Sequence, residues 1–220
     1  MRITSHQILS INSLETETDM IRNVVFDFGG VLFQWQPKVI VESFTSSADE
    51  RSLLLKDILR HPDWLSLDRG TMLLAESIPK FAARTGISED RIEDFLSHVV
   101  DSLVTIQETE TLLYQIADYH YAMYYLTNMN QAFFETLSER NSFMSLFLGG
   151  IVSANELMVK PEPEIFHCLS QQYNLEPGET LFIDDTPVNI EAAQALGFQT
   201  ILFTQTPSCL ESIRKILNFN

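Results

Sequence analysis

Residues 23–32 read NVVFDFGGVL, an apolar, β-favouring run that stops at an aspartate and is followed by two glycines. The pattern predicts a short buried strand over Asn23–Asp27 that runs into a sharp turn at Gly29-Gly30 and leaves Asp27 at the strand's carboxyl end. Two later runs repeat the theme. YAMYYLT (121–127) closes on Thr127-Asn128, and TLFID (180–184) closes on Asp184-Asp185. Between further apolar stretches at 146–153 and 199–203, helical periodicity covers 107–118, 130–139, 162–173, 187–196 and 207–217, with Lys160-Pro161 in the loop before the third of these. Such alternation implies a parallel sheet covered by helices on both faces: an α/β, Rossmann-like three-layer core.

Ahead of that alternation, residues 37–105 are helix-like with few β runs. Ser88 is a suitable N-cap and Gly86 a suitable stop for the helix before it. They are read as a helical cap inserted after the first strand, so the core comprises 21–36 and 106–220, and residues 1–20 are a flexible N-terminal extension.

Charge narrows the function. Fourteen Lys and Arg against thirty Asp and Glu give −16 over 220 residues, the opposite of a nucleic-acid footprint. No apolar run approaches a membrane span, and the N-terminus lacks a signal peptide's basic start, so a soluble, cytoplasmic protein without a membrane partner is expected. Cys168 and Cys209 supply neither a disulfide framework nor zinc spacing. An anionic substrate would need positive charge concentrated locally, from a lysine or a bound cation.

In a parallel sheet, ligands sit beyond the strands' carboxyl ends. Asp27, Thr127, Asn128, Lys160, Asp184 and Asp185 then converge on one edge. Taken singly, most have a plain reading: Thr127-Asn128 as a helix cap, Thr186 as an N-cap before Pro187, Lys160 as a loop cation. The adjacent carboxylates do not, because they repel unless a cation lies near. Hard oxygen ligands with no His/Cys cluster describe a Mg²⁺ site.

As a set, FDFGGVL (26–32), YLTN (125–128), VKPEPEIF (159–166) and FIDDTPVNIEAAQALG (182–197) resemble the four motifs of the haloacid dehalogenase-like hydrolase superfamily, over about residues 23–204. The helical insert is similar to the cap of its phosphatases and dehalogenases. The resemblance implies that Asp27 is the nucleophile that forms an aspartyl phosphate, and that Asp27, the Gly29 carbonyl and Asp185 hold Mg²⁺. It also implies that Thr127, Asn128 and Lys160 bind the phosphate, with Lys160 catalytic as well. Asp184 stands where the family often has Gly or Ser and is assigned a supporting role, either behind the metal ligands or paired with the lysine, in preference to direct ligation. Asn189 is a second supporting residue, read either as orienting Asp185 across the first helical turn or as a solvated helix residue.

One position departs from the pattern. Phosphatases of this superfamily carry a second acid two residues after the nucleophile, and here Gly29 stands there. An ester whose leaving group departs easily suffers least from that loss. The chain also resembles the bacterial sugar-1-phosphate phosphatase branch, those acting on α-D-glucose 1-phosphate among them, where this glycine occurs; the implied substrate is a sugar phosphate such as a hexose 1-phosphate. In HPDWLSLDRG, His61, Asp63, Asp68 and Arg69 are the polar residues available to replace the acid, although each reads more simply as a solvated loop residue or helix cap. Trp35 and Trp64 are candidates for an apolar wall against a sugar ring, or else ordinary packing residues, and no histidine is assigned a catalytic role. Two alternatives remain open: a metal-independent haloacid dehalogenase, and a catalytically silent phospholigand-binding protein. The expected assembly is a monomer or homodimer.

Overall fold

In a computed structural model the described residues are 20–219, so the expected extension lies outside them except for Met20. β1 (Asn23–Phe26) is the central strand of a five-stranded parallel sheet with β2 (Ala122–Thr127), β3 (Gly149–Val152), β4 (Thr180–Asp184) and β5 (Gln199–Leu202), in the order β3-β2-β1-β4-β5. Phe26 is in register with Tyr125 on one side and Ile183 on the other. Asp27 therefore leaves the sheet beside Asp184 and close to the end of β2. After β1 the chain builds one half of the sheet through β2 and β3, then crosses to β4. The switch point falls between the carboxyl ends of β1 and β4, where open α/β sheets bind ligands.

Five helices occupy the insert: α1 (Pro37–Phe44), α2 (Ala48–Leu53), α3 (Pro62–Asp68), α4 (Leu74–Thr85) and α5 (Glu89–Asp101). DERSLLLKDILR reads as one helix in sequence, but α2 widens to a π-helical turn over Leu54–Leu59, which buries Leu54, Ile58 and Leu59. α3 was not expected. It is seven residues long, too short for a helical period to register, and starts at Pro62, whose fixed φ suits a first helical position.

The covering helices are α6 (Gln107–Asp118), α7 (Gln131–Arg140), α8 (Ser153–Glu156), α9 (Pro163–Tyr173), α10 (Pro187–Ala195) and α11 (Pro207–Ile216). β3 is shorter than the apolar run suggested, because Ser142–Leu146 winds into a 3₁₀ turn and Ser153 already opens α8.

Two buried clusters flank the sheet. The larger joins Val24 and Phe26 to Leu112, Leu113 and Ile213, and runs on without a break through Phe28 and Phe33 to Leu54, Ile58, Phe81 and Phe95. The insert thus shares its core with one face of the sheet. The other cluster packs Val25, Leu126 and Phe182 against Phe166 and Leu169 of α9. Both cysteines are free, and no helix among the described residues is long and apolar enough to cross a membrane.

Candidate active site

The site begins where β1 stops. The Asp27 N–H makes a last ladder bond to the Ile183 carbonyl at 3.0 Å, after which the Phe28 N–H turns back onto Asp27 Oδ1 at 2.7 Å. Gly30 continues the turn at φ +75°, and a Cβ there would land on the Asp185 carboxylate, so only glycine lets the two strand ends approach. Gly29 is under no such pressure: a Cβ on it would find Trp35 at an ordinary 3.7 Å.

Lys160 is brought in from the β3 side by a cis Lys160–Pro161 peptide and a two-point clamp. Asn128 Nδ2 donates to the Lys160 carbonyl at 2.9 Å, and the Lys160 N–H donates to Asn128 Oδ1 at 2.8 Å. The ammonium then lies 2.8 Å from Asp27 Oδ1 and 2.6 Å from Asp184 Oδ2, above the Phe182 ring. Asp184 is fully buried and further held by the Thr186 N–H at 2.8 Å and by Asn189 Nδ2 at 3.0 and 3.1 Å.

The structure thus corrects several sequence assignments. Asn189 orients Asp184, not Asp185, because Asp184 points inward under α10. Asn128 likewise spends its amide on Lys160. Asn130, not Thr127-Asn128, caps α7, accepting from the Phe133 N–H at 3.0 Å. The Thr186 hydroxyl turns to Asp185 at 3.2 Å instead of capping α10. Thr127 keeps a buried hydroxyl with no partner among the described residues, a costly state.

Electrostatics follow from three carboxylates around one ammonium. Burial pushes the Asp27 carboxyl up to about 8 against the pull of Lys160, with Asp184 and Asp185 adding to the rise. Asp185 is raised first by burial and then by Asp184. Burial opposes the Lys160 charge, but Asp27 and Asp184 outweigh it and hold the ammonium above its ordinary value. Asp27, Asp184 and Asp185 each offer an oxygen within 4.8 Å of the others. An all-oxygen, charge-rich set fits a hard divalent cation such as Mg²⁺.

Residues 24–203 match the haloacid dehalogenase-like hydrolases. The chain belongs to that family. Among curated relatives, the sesquiterpene phosphatase astK of Aspergillus oryzae is 28% identical over 193 residues, 88% of this chain and 95% of that protein. A D-ribitol-5-phosphate phosphatase of Bacteroides thetaiotaomicron is 26% identical over 212 residues, 90% of this chain and 100% of that protein. Of solved structures, a haloacid dehalogenase-family enzyme of the same bacterium, in complex with magnesium and inorganic phosphate, has a TM-score of 0.69 at 26% identity, covering 84% of this chain and 94% of that one.

In this haloacid dehalogenase-like hydrolase the strand ends open into a cleft of about 270 Å³ with Asp27, Gly29, Lys160 and Asp185 on its floor. The insert contributes Trp64 and Leu59, and Trp35 stacks on Trp64 at 5.9 Å. Of the four insert candidates, three are engaged elsewhere. His61 Nδ1 caps α3 by accepting from the Asp63 N–H at 3.1 Å, Asp63 pairs with Arg84, and Arg69 pairs with Glu162. Asp68 alone lines the cleft.

Proposed function

We propose that the protein is a magnesium-dependent phosphatase of small phosphate monoesters that works through an aspartyl phosphate on Asp27. One observation carries the reading: the Lys160 ammonium, buried between Asp27 and Asp184. A cation that touches the would-be nucleophile is the arrangement an anionic phosphoryl group needs, since positioning and electrostatics supply most of the catalysis in phosphoryl transfer. The Phe28 N–H and Lys160 both bind Asp27 Oδ1, which leaves its second oxygen without a partner among the described residues.

Asp27 attacks phosphorus, the ester bond breaks, and water then hydrolyses the acyl phosphate. Lys160 and the Thr127 hydroxyl bind the phosphoryl oxygens, and Asp184 with Asn189 keeps Lys160 aimed. Magnesium, held by Asp27, the Gly29 carbonyl and Asp185, would supply the charge neutralisation that lets an anion meet a carboxylate. The insert covers the floor and screens it from bulk water.

For the organic group, the sequence favours a sugar phosphate such as a hexose 1-phosphate, and the similarity to a ribitol-5-phosphate phosphatase and the small cleft support it. The walls favour a second reading. Trp35, Trp64, Leu59, Leu103, Met129 and Phe133 form a largely apolar wall, on which the two indole N–H groups are the only side-chain donors, and suit an ester with an apolar organic group, in keeping with the similarity to a sesquiterpene phosphatase.

The test is a phosphate-release screen across sugar, polyol and short prenyl phosphates, with and without Mg²⁺. Turnover is expected that disappears in Asp27→Asn and with a chelator. Chelator-insensitive halide release from a 2-haloacid would make the protein a dehalogenase. Ligand binding without turnover would make it a binding protein.

A further inference from the structure

We propose that Asp68, on the insert, is the general acid and base that the Gly29 position lacks, in a reading that rests on the phosphatase function above. The family-type position for this group is empty of a side chain, yet a monoester with an ordinary alcohol leaving group needs a proton on the departing oxygen. Asp68 is the only residue of the insert candidates whose carboxyl lines the cleft that holds Asp27 and Lys160. No hydrogen bond or ion pair to a described residue accounts for that carboxyl, unlike those of Asp63 and Asp184.

Its placement is built. Asp68 ends α3, and that end is fastened to the sheet edge by three contacts. The Ser153 hydroxyl donates to the Asp68 carbonyl and accepts the Met129 N–H at 2.9 Å, which ties α3 to the ends of β3 and β2 together. Gly70, at φ +78°, lies so close to the Ala154 carbonyl that a Cβ would collide with it. Arg69 forks onto Glu162, with Nη1 2.9 Å from Oε2, so the neighbouring cation is turned away from the cleft. The charged side chains that share the cleft with Asp68 are Asp27, Asp185 and Lys160. Burial, with Asp27 adding to it, holds the Asp68 carboxyl well above the usual carboxylate range, the state an acid needs.

The chemistry balances. As Asp27 bonds to phosphorus and the P–O ester bond breaks, the Asp68 proton passes to the leaving oxygen and an alcohol departs. When water attacks the aspartyl phosphate, the Asp68 carboxylate takes its proton, the Asp27 O–P bond breaks and inorganic phosphate leaves.

The test is kcat/KM of wild type, Asp68→Asn and Asp68→Ser on p-nitrophenyl phosphate and on alkyl phosphates of rising alcohol pKa, followed by Gly29→Asp in the Asp68→Asn background. Asp68→Asn should lose on the order of 10²–10⁴-fold on alkyl esters and far less on p-nitrophenyl phosphate, so that leaving-group dependence steepens. Since Gly29 has room for a side chain, the added Gly29→Asp should flatten that dependence again. Equal losses on aryl and alkyl esters in both Asp68 variants, or wild-type slopes, overturn the proposal while the phosphatase reading stands. Wild-type turnover that survives Asp27→Asn, or none with any ester, overturns both.

Discussion

At the residue scale, the unpartnered Thr127 hydroxyl separates function from stability. A buried donor without a partner costs folding free energy, so Thr127→Val should leave the melting temperature unchanged or slightly higher. If the hydroxyl binds a charged phosphoryl oxygen, worth about 1.5–3 kcal/mol, kcat/KM should drop about 10–100-fold in the same variant. Steady-state kinetics beside a thermal melt reads both. Gly30→Ala should fail on both counts, because the new methyl meets Asp185 and the backbone is left-handed there. The backbone term alone costs about 1–3 kcal/mol, and metal affinity should fall with it. Isothermal titration with Mg²⁺ checks the second effect. The strand-end residues were legible because each follows an apolar run. The partner of Asn189 was not, since sequence offers two adjacent aspartates and only the direction of β4 decides which one turns inward.

At the scale of elements, α3 is one of the pieces that join insert to core, and the Arg69–Glu162 pair at its C-cap joins them by charge. Arg69 holds the Glu162 carboxyl below its ordinary 4.5. The folded value is the lower one, so the pair's stabilisation is complete above 4.5 and is lost as pH falls through the depressed value. Both side chains are partly exposed, so the gap between wild type and Arg69→Met at neutral pH should be only about 0.5–1 kcal/mol. It should close progressively in melts taken below 4.5, and a gap that persists in acid would mean Arg69 acts through packing. The long amphipathic helices could be read from periodicity. α3 could not, because its seven residues are held by contacts with residues far along the chain, such as Arg84 to Asp63 and Ser153 to Asp68.

At the scale of the whole molecule, a net charge of −16 opposes the arrival of an anionic ester. Raising ionic strength from about 10 to 150 mM shrinks the screening length from about 30 to 8 Å, so kcat/KM should rise with salt when Mg²⁺ is held saturating. Falling kcat/KM would show that the field around the cleft mouth is positive. Three carboxylates that each offer an oxygen within 4.8 Å of the others should also make stability depend on the cation. Mg²⁺ at 100 times its Kd adds about 2.7 kcal/mol, or roughly 5–10 °C in Tm for a chain of this size. Asp185→Asn should shrink that shift in a melt with and without chelator.

The sequence by itself determined the layered α/β architecture, the three polar strand ends and the lysine-bearing loop, because apolar periodicity and turn chemistry are local properties. Only tertiary structure decided what depends on direction and proximity: that Asp184 takes Lys160 while Asp185 faces out, that Asn128 grips backbone, that the insert shares one core with the sheet. The same holds for Asp68, one of four polar residues in a decapeptide that looks alike along the chain. Three of the four found partners once the chain folded, and the fourth was left facing the cleft.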